Sequence, residues 1–332
     1  MNRFTAILIS LFLANTAQAE SPVCGGIDLL EKLQVQSPAI YAEVMKEAAA
    51  VPNGNAVFWK VERDGTPPSF LLGTAHVTDP RVVTLRPEID ERIRSASAIA
   101  LELAELRSAQ EMAVATLKHA TLLVLPPGQT LWDLIPDEDE PAIRNHPNLP
   151  NGSGTIYGYQ PWIVAGMISI PLCESRRKID GLPTLDEIIG AKSVKLNIPL
   201  VGLETVEEQL LVFAKLPLEL QVKYLVAVAK IGPGINDYFE TLIRLYERRQ
   251  ITAYMPFAKR AENQASADDE AAMMIFVEEQ VVRTRNHRMA ERAARLFAKG
   301  GAFVAVGALH LPGTEGLVEL LRRQGYKVSP VN

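Results

Sequence analysis

Histidine and cysteine are both scarce in this sequence, which has five histidines and two cysteines among 332 residues. Two cysteines exclude a disulfide-rich scaffold and a zinc site built from paired Cys-x-x-Cys motifs. A surplus of basic residues is also missing, because the formal net charge is -5. Without a basic surface to neutralise phosphates, a nucleic-acid partner is not expected. The composition, 48% hydrophobic and 22% charged, is that of a globular protein.

Three further absences exclude whole classes of enzyme. The chain has no Gly-x-Ser-x-Gly elbow, no His-Glu-x-x-His motif and no Walker phosphate loop. Those patterns mark α/β-hydrolases with a serine nucleophile, common zinc peptidases and P-loop nucleotide binders. Any catalysis must therefore be carried by another arrangement of polar side chains.

The N-terminus has the pattern of a secretory signal peptide. Arg3 precedes an apolar run from Ala6 to Ala14, and Ala17-Gln18-Ala19 is a small-x-small cleavage site. The alternative is an uncleaved anchor, but the run is well short of the roughly 20 residues that a spanning helix needs. We therefore predict cleavage after Ala19, a periplasmic or secreted mature chain, and no stable membrane span in it.

The two cysteines, Cys24 and Cys173, both lie in the predicted mature chain. An exported protein can oxidise them to a disulfide, and two buried thiols are the alternative. The sequence cannot place their Cα atoms within bridging distance, so both alternatives stay open here.

Runs of strand-like residues lie toward the two ends of the chain, and helical patterns fill the regions between them. This predicts α/β architecture with α+β character: a mixed sheet with strands from both chain ends and a large helical insertion. We expect residues 20–332 to form a single domain. The predicted strands are 56–63, 69–76, 96–103, 197–204, 301–308 and the C-terminal segment 326–331, and the predicted helical regions are about 107–196 and 205–299.

Three segments carry more specific predictions. The strands at 197–204 and 301–308 are almost continuously apolar, which is typical of strands covered on both faces. "PWIVAGMISIPL" (161–172) is apolar but short, so we expect one buried helix there. Thr184-Leu-Asp-Glu187 and Thr205-Val-Glu-Glu208 each predict a capping box at the start of a helix.

Two apolar strands end in the same motif, Gly-x-x-His. Gly73 precedes His76 in "LLGTAHV", and Gly307 precedes His310 in "VAVGALH". A glycine at a strand end lets the backbone turn sharply or approach a neighbour closely. Ligands of open α/β sheets bind at the carboxyl ends of the strands. A single such histidine is more often structural than catalytic, whereas two at the ends of separate strands indicate a site.

Acidic residues occupy comparable positions. Glu102 lies at the end of the apolar strand "IALEL", where an unpaired carboxylate would be costly, so it needs a partner or a metal. Glu204 closes "LVGLE", and the dipole of the helix that follows is a sufficient explanation for it. Asp186 and Glu187 lie in a first helical turn, and we interpret Glu187 as the capping residue.

A third candidate group is the arginine-rich helix "RTRNHRMAERAARLF" (283–297). Most of its arginines are expected on a solvated face. Arg285 and the adjacent Asn286 could reach the site, where a guanidinium would orient a carboxylate or stabilise an oxyanion. Spacing alone does not select Arg285 from its neighbours.

Two imidazoles with one or two carboxylates form the ligand set of a divalent transition metal. The candidate ligands are His76, His310 and Glu102, and the candidate ions are manganese, cobalt and zinc. Such a site leaves open positions for water, and metal activation of that water is a direct route to hydrolysis.

Five blocks of the chain together resemble the TraB/GumN family, to which the Tiki metalloproteases are related and which includes relatives named for polysaccharide gene clusters. The blocks occur in order between about Val57 and Val331, and the last is the most specific. They are "LLGTAHV", "IALELAE", "LVGLETVEEQL", "RNHRMAERAARL" and "VAVGALHLPGTEGLVELLRRQGYKV".

The resemblance implies a compact α/β core with inserted helices and a metal-dependent active site. The family's active residues fall on His76, His310 and Glu102, and its Arg-Asn pair falls on Arg285 and Asn286. Its Leu-Glu-Thr falls on Glu204 and Thr205, and a mid-chain aspartate falls on Asp186. Many relatives carry Asp or Asn where this chain has Ala104, so one polar partner is either missing or supplied by Glu105.

The leading hypothesis is an exported metal-dependent hydrolase of the peptidase type, acting on a peptide or another small polar substrate. His76 and His310 would bind the metal, Glu102 would be a ligand or general base, and Arg285 would assist by its charge. The alternative is a non-catalytic envelope protein that binds a metal, haem or glycan ligand in the same pocket.

Overall fold

A computed structural model of the chain describes residues 24–149, 153–260 and 267–331, and within them six strands form one mixed sheet. The predicted signal peptide, residues 1–19, lies outside the described residues. The strands are β1 (Phe58–Glu62), β2 (Ser69–Thr74), β3 (Ala98–Leu101), β4 (Leu200–Gly202), β5 (Ala302–Gly307) and β6 (Lys327–Pro330). Their order across the sheet is β4-β3-β5-β2-β1-β6.

The first four strands in that order are parallel, whereas β1 runs antiparallel to both β2 and β6. The parallel strands are separated along the chain by helical segments. The helices are α1 (Leu29–Gln36), α2 (Pro38–Ala50), α3 (Pro80–Val83), α4 (Pro87–Arg94), α5 (Ala109–Leu117), α6 (Glu140–Arg144), α7 (Pro161–Ile168), α8 (Leu172–Ile179), α9 (Leu185–Leu196), α10 (Val206–Ala214), α11 (Leu218–Ile231), α12 (Ile235–Glu247), α13 (Tyr254–Arg260), α14 (Ala267–Phe276), α15 (Thr284–Lys299) and α16 (Leu317–Arg323), with a π-helical turn at Val277–Arg283. The α/β class and the helical component were predicted correctly.

The sheet is the middle of three layers. Alternate residues of β5 point to opposite faces, so Val304 and Val306 pack with one side and Phe303 and Ala305 with the other. Helices α15 and α16 cover the first face, and α4 and α9 cover the second. Separate apolar clusters hold the N-terminal helices against α12 and α13, and the insertion helices α6 and α7 against α11.

The structure corrects two sequence predictions about elements. The apolar segment 161–172 is not one helix: α7 ends at Ile168, and α8 begins at Leu172 directly after Pro171. Proline lacks the backbone N–H of a helix interior and disfavours helical geometry in the residue before it. Strand β4 is not covered on both faces, because it lies at the sheet edge and Val201 is 38% exposed.

The two predicted capping boxes are confirmed, and the open question about the cysteines is decided. Both capping boxes form, one from Thr184 and Glu187 at α9 and one from Thr205 and Glu208 at α10. The sulfurs of Cys24 and Cys173 are joined in a disulfide, which was one of the two alternatives. Among the described helices, none has the length and apolar character to cross a membrane.

Candidate functional site

Three of the predicted site residues come together where the parallel strands end. Strand β5 lies between β2 and β3, so the segments that follow these strands meet at one edge of the sheet. Nε2 of His76 and Nε2 of His310 are each 3.8 Å from Oε1 of Glu102. His310 and Glu102 are almost fully buried, whereas the His76 side chain is 53% exposed and opens the cluster to solvent.

The two motif glycines allow this approach. A Cβ on Gly73 would stand only 2.8 Å from Cδ1 of Leu311 and 2.9 Å from Cα of Ala308, so only glycine lets β2 pass the turn that carries His310. A Cβ on Gly307 would lie 3.2 Å from Oε1 of Glu102 and 3.4 Å from Nε2 of His76. Gly307 therefore leaves a space between the polar groups.

His76 is oriented by a buried carboxylate. Its Nδ1–H donates to Oδ2 of Asp186 over 2.9 Å, and the hydroxyl of Thr74 donates to the other oxygen over 2.8 Å. Asp186 lies in the first turn of α9, two residues after the capping Thr184, and is fully buried. This contact leaves Nε2 of His76 facing Glu102.

His310 is oriented in the same way by an amide. Its Nδ1–H donates to Oδ1 of Asn286 over 2.7 Å, and Asn286 donates from Nδ2 to the backbone carbonyl of Glu315 over 2.8 Å. Asn286 is fully buried on α15. Both histidines are thus anchored through Nδ1 and present Nε2, the arrangement typical of metal-binding histidines.

Glu102 is held at both carboxylate oxygens. Oε1 accepts the backbone N–H of Gly307 over 2.6 Å, and Oε2 accepts Nη2 of Arg285 over 2.7 Å. Gln209 adds a third donor, 3.1 Å from Oε2. In this chain, which carries Ala104, Gln209 is therefore a polar partner of the Glu102 carboxylate.

The structure adds side-chain partners for Glu204 and for the arginine-rich helix. Glu204 is bound by side chains of α15, with Nε of Arg285 at 2.8 Å and Nη1 of Arg288 at 3.0 Å. Arg283 pairs with Glu279 and Arg292 with Glu208, so four of the five arginines bind carboxylates. Arg283, Arg292 and Arg295 are nevertheless exposed, as was expected for most of the group. Glu204 thus has two arginine partners in addition to its position beside the N-terminus of α10, and Arg285 links Glu204 to Glu102.

The electrostatic environment differs sharply between the two histidines. The charge of Asp186 raises the pKa of His76 to about 9, against the effect of burial. Burial lowers the pKa of His310 to about 4, although the charge of Glu102 acts in the opposite direction. Burial would raise the pKa of Glu102, but the charges of His310, His76 and Arg285 outweigh it and hold that pKa well below its usual range.

The family resemblance implies a metal ion, so the distances between the donor atoms can be compared with those between the ligands of a bound ion. Two ligands about 2.0–2.2 Å from a tetrahedral ion lie about 3.3–3.6 Å apart, slightly closer than the 3.8 Å separations found here. In the part of the chain that the structure describes, no group of three or more His, Cys, Asp and Glu side chains already has metal-holding geometry. The residues fit in kind and orientation, and holding an ion requires the imidazoles and the carboxylate to move closer together.

Sequence reasoning did not single out Gln209, Arg288 or Thr74. Gln209 and Arg288 lie on surface-type helical patterns, where nothing distinguishes a partner of a buried carboxylate from a solvated polar residue. Thr74 is inside the Gly-x-x-His motif, and its position one residue beyond Gly73 was the available signal.

Three proteins that are similar to this chain in sequence are named as metalloproteases. Metalloprotease TIKI1 of Danio rerio is 26% identical over 316 residues, which cover 82% of this chain and 63% of the relative. Metalloprotease TIKI1 of Homo sapiens is 24% identical over 319 residues, with 82% and 61% covered. Metalloprotease TIKI2 of Danio rerio is 25% identical over 318 residues, with 82% and 60% covered. The chain thus spans about three fifths of the length of these relatives.

No solved structure matches the chain at a significant level. The profile of the TraB/PrgY/gumN family matches residues 57–330, which include every strand of the sheet and all the residues around the two histidines. The chain belongs to the TraB/PrgY/gumN family.

Proposed function

We propose that this protein is an exported metal-dependent peptidase in which His76 and His310 hold a divalent ion beside Glu102. The observation that carries the proposal is the shared orientation of the two imidazoles. Each is anchored through Nδ1, by Asp186 or Asn286, and each directs Nε2 toward the same carboxylate oxygen. Outer hydrogen bonds of this kind fix the tautomer of a metal-binding histidine. Because the pKa of His76 is raised to about 9, its Nε2 would release a proton when the ion binds.

Glu102 suits the role of a ligand better than that of a general base. An effective general base has a pKa near the working pH, whereas the pKa of Glu102 is held well below its usual range because its charged neighbours outweigh burial. Oε1 is also the oxygen that faces both histidines. The carboxylate therefore stays ionised at neutral pH and available to a cation.

Arg285 acts in this proposal as a support for the carboxylates. Its Nη2 and Nε are committed to Glu102 and Glu204, and its side chain is 9% exposed. Removing it would leave two buried carboxylates without their shared cation. A metal ion, when bound, would supply a Lewis acid that polarises a scissile carbonyl and activates water.

The peptidase class and export rest on separate support. Peptide substrates are suggested by relatives whose names are Metalloprotease TIKI1 and TIKI2. Export is suggested by the signal-peptide pattern in residues 1–19 and agrees with the disulfide between Cys24 and Cys173. The half-exposed His76 provides the side from which a substrate would enter.

Peptide turnover by the purified mature chain tests the proposal. We expect a chelator to abolish hydrolysis of a fluorogenic peptide library, and added manganese, cobalt or zinc to restore it. His76→Ala and His310→Ala should each lower turnover by several orders of magnitude and reduce bound metal measured by elemental analysis.

His287→Ala is the matched control, because His287 is also 53% exposed and also pairs with a carboxylate, that of Glu315. It should retain metal and activity. Unchanged metal content in both site variants would contradict the proposal. Metal binding without turnover of any library peptide would favour the non-catalytic binding protein instead.

A further inference from the structure

The segment that carries His76 has no helix or strand of its own. Strand β2 ends at Thr74 and α3 begins at Pro80, so residues 75–79 connect two elements as irregular chain. His76 is half exposed, while Val77, Thr78 and Asp79 are buried. The position of the histidine therefore depends on what holds its neighbours.

Thr78 is held by a single carboxylate. Its backbone N–H donates to Oε1 of Glu174 over 2.7 Å, and its hydroxyl donates to Oε2 over 2.8 Å. Both residues are almost completely buried, Glu174 at 1% and Thr78 at 2% exposure. Hydrogen bonds to an ionised acceptor are about twice as strong as neutral ones, and a buried pair of them fixes both backbone and side chain.

A buried cation completes this contact. Nη1 of Arg177 lies 3.8 Å from Oε2 of Glu174 and 3.5 Å from Oδ2 of Asp79. Asp79 is the last residue of the same irregular segment, and it also accepts from Arg81. Arg177 thus shares its charge between helix α8 and the segment that carries His76.

Helix α8 is itself tied to the N-terminal part of the chain. Glu174 follows Cys173, whose sulfur is bonded to Cys24, 149 residues away in sequence. Cys24 packs with the apolar cluster that includes Leu30 and Val44. The disulfide therefore fixes the start of α8 directly beside the carboxylate that binds Thr78.

We propose that Glu174, fixed by the adjacent Cys24–Cys173 disulfide, is a positioning residue that holds residues 75–79 and thereby sets where His76 meets the metal. The last part of this inference rests on the proposed function. Glu174 acts through Thr78 and does not touch the metal. The disulfide is in this view part of the site's support as well as of the fold.

Two measurements on the full mature chain test the inference. Hydrogen exchange followed by mass spectrometry reports the protection of residues 75–79 without any metal, and titration with cobalt(II) reports the metal affinity. We expect Glu174→Gln, and the double variant Cys24→Ser with Cys173→Ser, to speed exchange in residues 75–79. Both should weaken cobalt(II) binding on the order of tenfold, the lower end of what outer contacts of metal ligands contribute.

Thr78→Val is the milder variant, used if Glu174→Gln does not fold, because it removes the hydroxyl donor and keeps the backbone N–H. It should also speed hydrogen exchange in residues 75–79 and weaken cobalt(II) binding, but by less than Glu174→Gln does. Glu319→Gln is the matched control, since Glu319 ties a different loop to a different helix through Asn53. It should leave residues 75–79 and cobalt(II) affinity unchanged.

The two proposals fail in different ways. If Glu174→Gln lowers stability but leaves exchange in residues 75–79 and cobalt(II) affinity unchanged, the positioning role is overturned. If the wild-type protein binds no cobalt(II), the proposed function fails, and the exchange result alone then decides whether Glu174 holds the segment.

Discussion

At the residue scale, two histidines from the same sequence motif have been given different environments. His76 is half exposed beside the carboxylate of Asp186, and His310 is buried beside the amide of Asn286. A carboxylate favours a charged imidazole, whereas burial disfavours one. The pKa of His76 is accordingly raised to about 9 and that of His310 lowered to about 4. The Gly-x-x-His motif alone does not set these pKa values, because the partners of the two histidines, Asp186 and Asn286, lie on helices distant in the sequence.

Gly307 provides a direct test of the space between these groups. Its φ of -53° is accessible to any residue, so Gly307→Ala should fold. The new methyl group would lie 3.2 Å from Oε1 of Glu102 and 3.4 Å from Nε2 of His76. We therefore expect metal binding, measured by calorimetric titration with zinc, to weaken by about tenfold to a hundredfold, the cost of roughly 1–3 kcal/mol of steric conflict.

Gly166→Ala is the control, because a Cβ there meets nothing within 4 Å and the residue lies inside α7. That variant should bind zinc as the wild type does. Equal affinity of Gly307→Ala and wild type would mean that the ion, if any, binds elsewhere.

The residues that sequence reasoning found, and those it missed, differ for a physical reason. His76, His310 and Glu102 were visible because a polar side chain at the end of an apolar strand is costly unless it has a partner. Gln209 and Arg288 lie on amphipathic helices, where polar residues are ordinary. Only the packing of α10 and α15 against the sheet edge turns them into partners of Glu102 and Glu204.

At the element scale, α15 is the helix that organises the site. One face packs Met289 and Phe297 into the core, while Asn286 and Arg285 reach His310 and Glu102. Arg288 and Arg292 on its outer side pair with Glu208 of α10, the helix that carries Gln209. Because α15 contributes side chains both to the core and to the site, we expect substitutions on this helix to affect core packing and site geometry together.

The pairing of Arg292 with Glu208 predicts a pH-dependent contribution to stability. Hydrogen bonding by Arg292 lowers the pKa of Glu208 from 4.5 to about 2. A carboxyl group with a lowered folded-state pKa stabilises the fold above pH 4.5, and the contribution is lost as the pH falls toward 2. Arg292→Ala should therefore cost up to about 1 kcal/mol at pH 7, a small value because solvent screens the partly exposed pair.

Urea unfolding between pH 2 and 7 measures this effect. The difference between wild type and Arg292→Ala should shrink steadily below pH 4.5, while Arg295→Ala, an exposed position on the same helix, should show no such trend. A difference that stays constant down to pH 2 would rule out the ion pair as its source.

Elements were predicted best where the pattern was long and uninterrupted. Strand β5 is buried along almost its whole length, as its apolar run indicated. Strand β4 has a similar apolar run yet lies at the sheet edge, because strand order is decided by long-range pairing that a local pattern does not contain. The break between α7 and α8 could have been predicted from Pro171, whose effect on a helix is local.

At the scale of the whole molecule, the disulfide ties the segment before α1 to the middle of the chain. Cys24 and Cys173 are 149 positions apart, so the cross-link closes a long loop in the unfolded state. We predict that the double variant Cys24→Ser with Cys173→Ser lowers the free energy of unfolding by about 2–4 kcal/mol.

Chemical denaturation checks this prediction under oxidising conditions. Wild-type protein kept reduced should match the double variant, which controls for the serine substitutions themselves. A double variant as stable as the oxidised wild type would show that the disulfide adds nothing to the stability of the fold.

The central claim is that strands from distant parts of the chain bring His76, His310 and Glu102 around one divalent ion. A crystal grown with zinc, with data collected at the zinc absorption edge, tests it most directly, since zinc binds such ligands more tightly than manganese or cobalt do. The account predicts an anomalous peak about 2.0–2.1 Å from Nε2 of both histidines and within reach of Oε1 of Glu102. Ordered imidazoles with no peak between them, or a peak bound elsewhere on the protein, would contradict it.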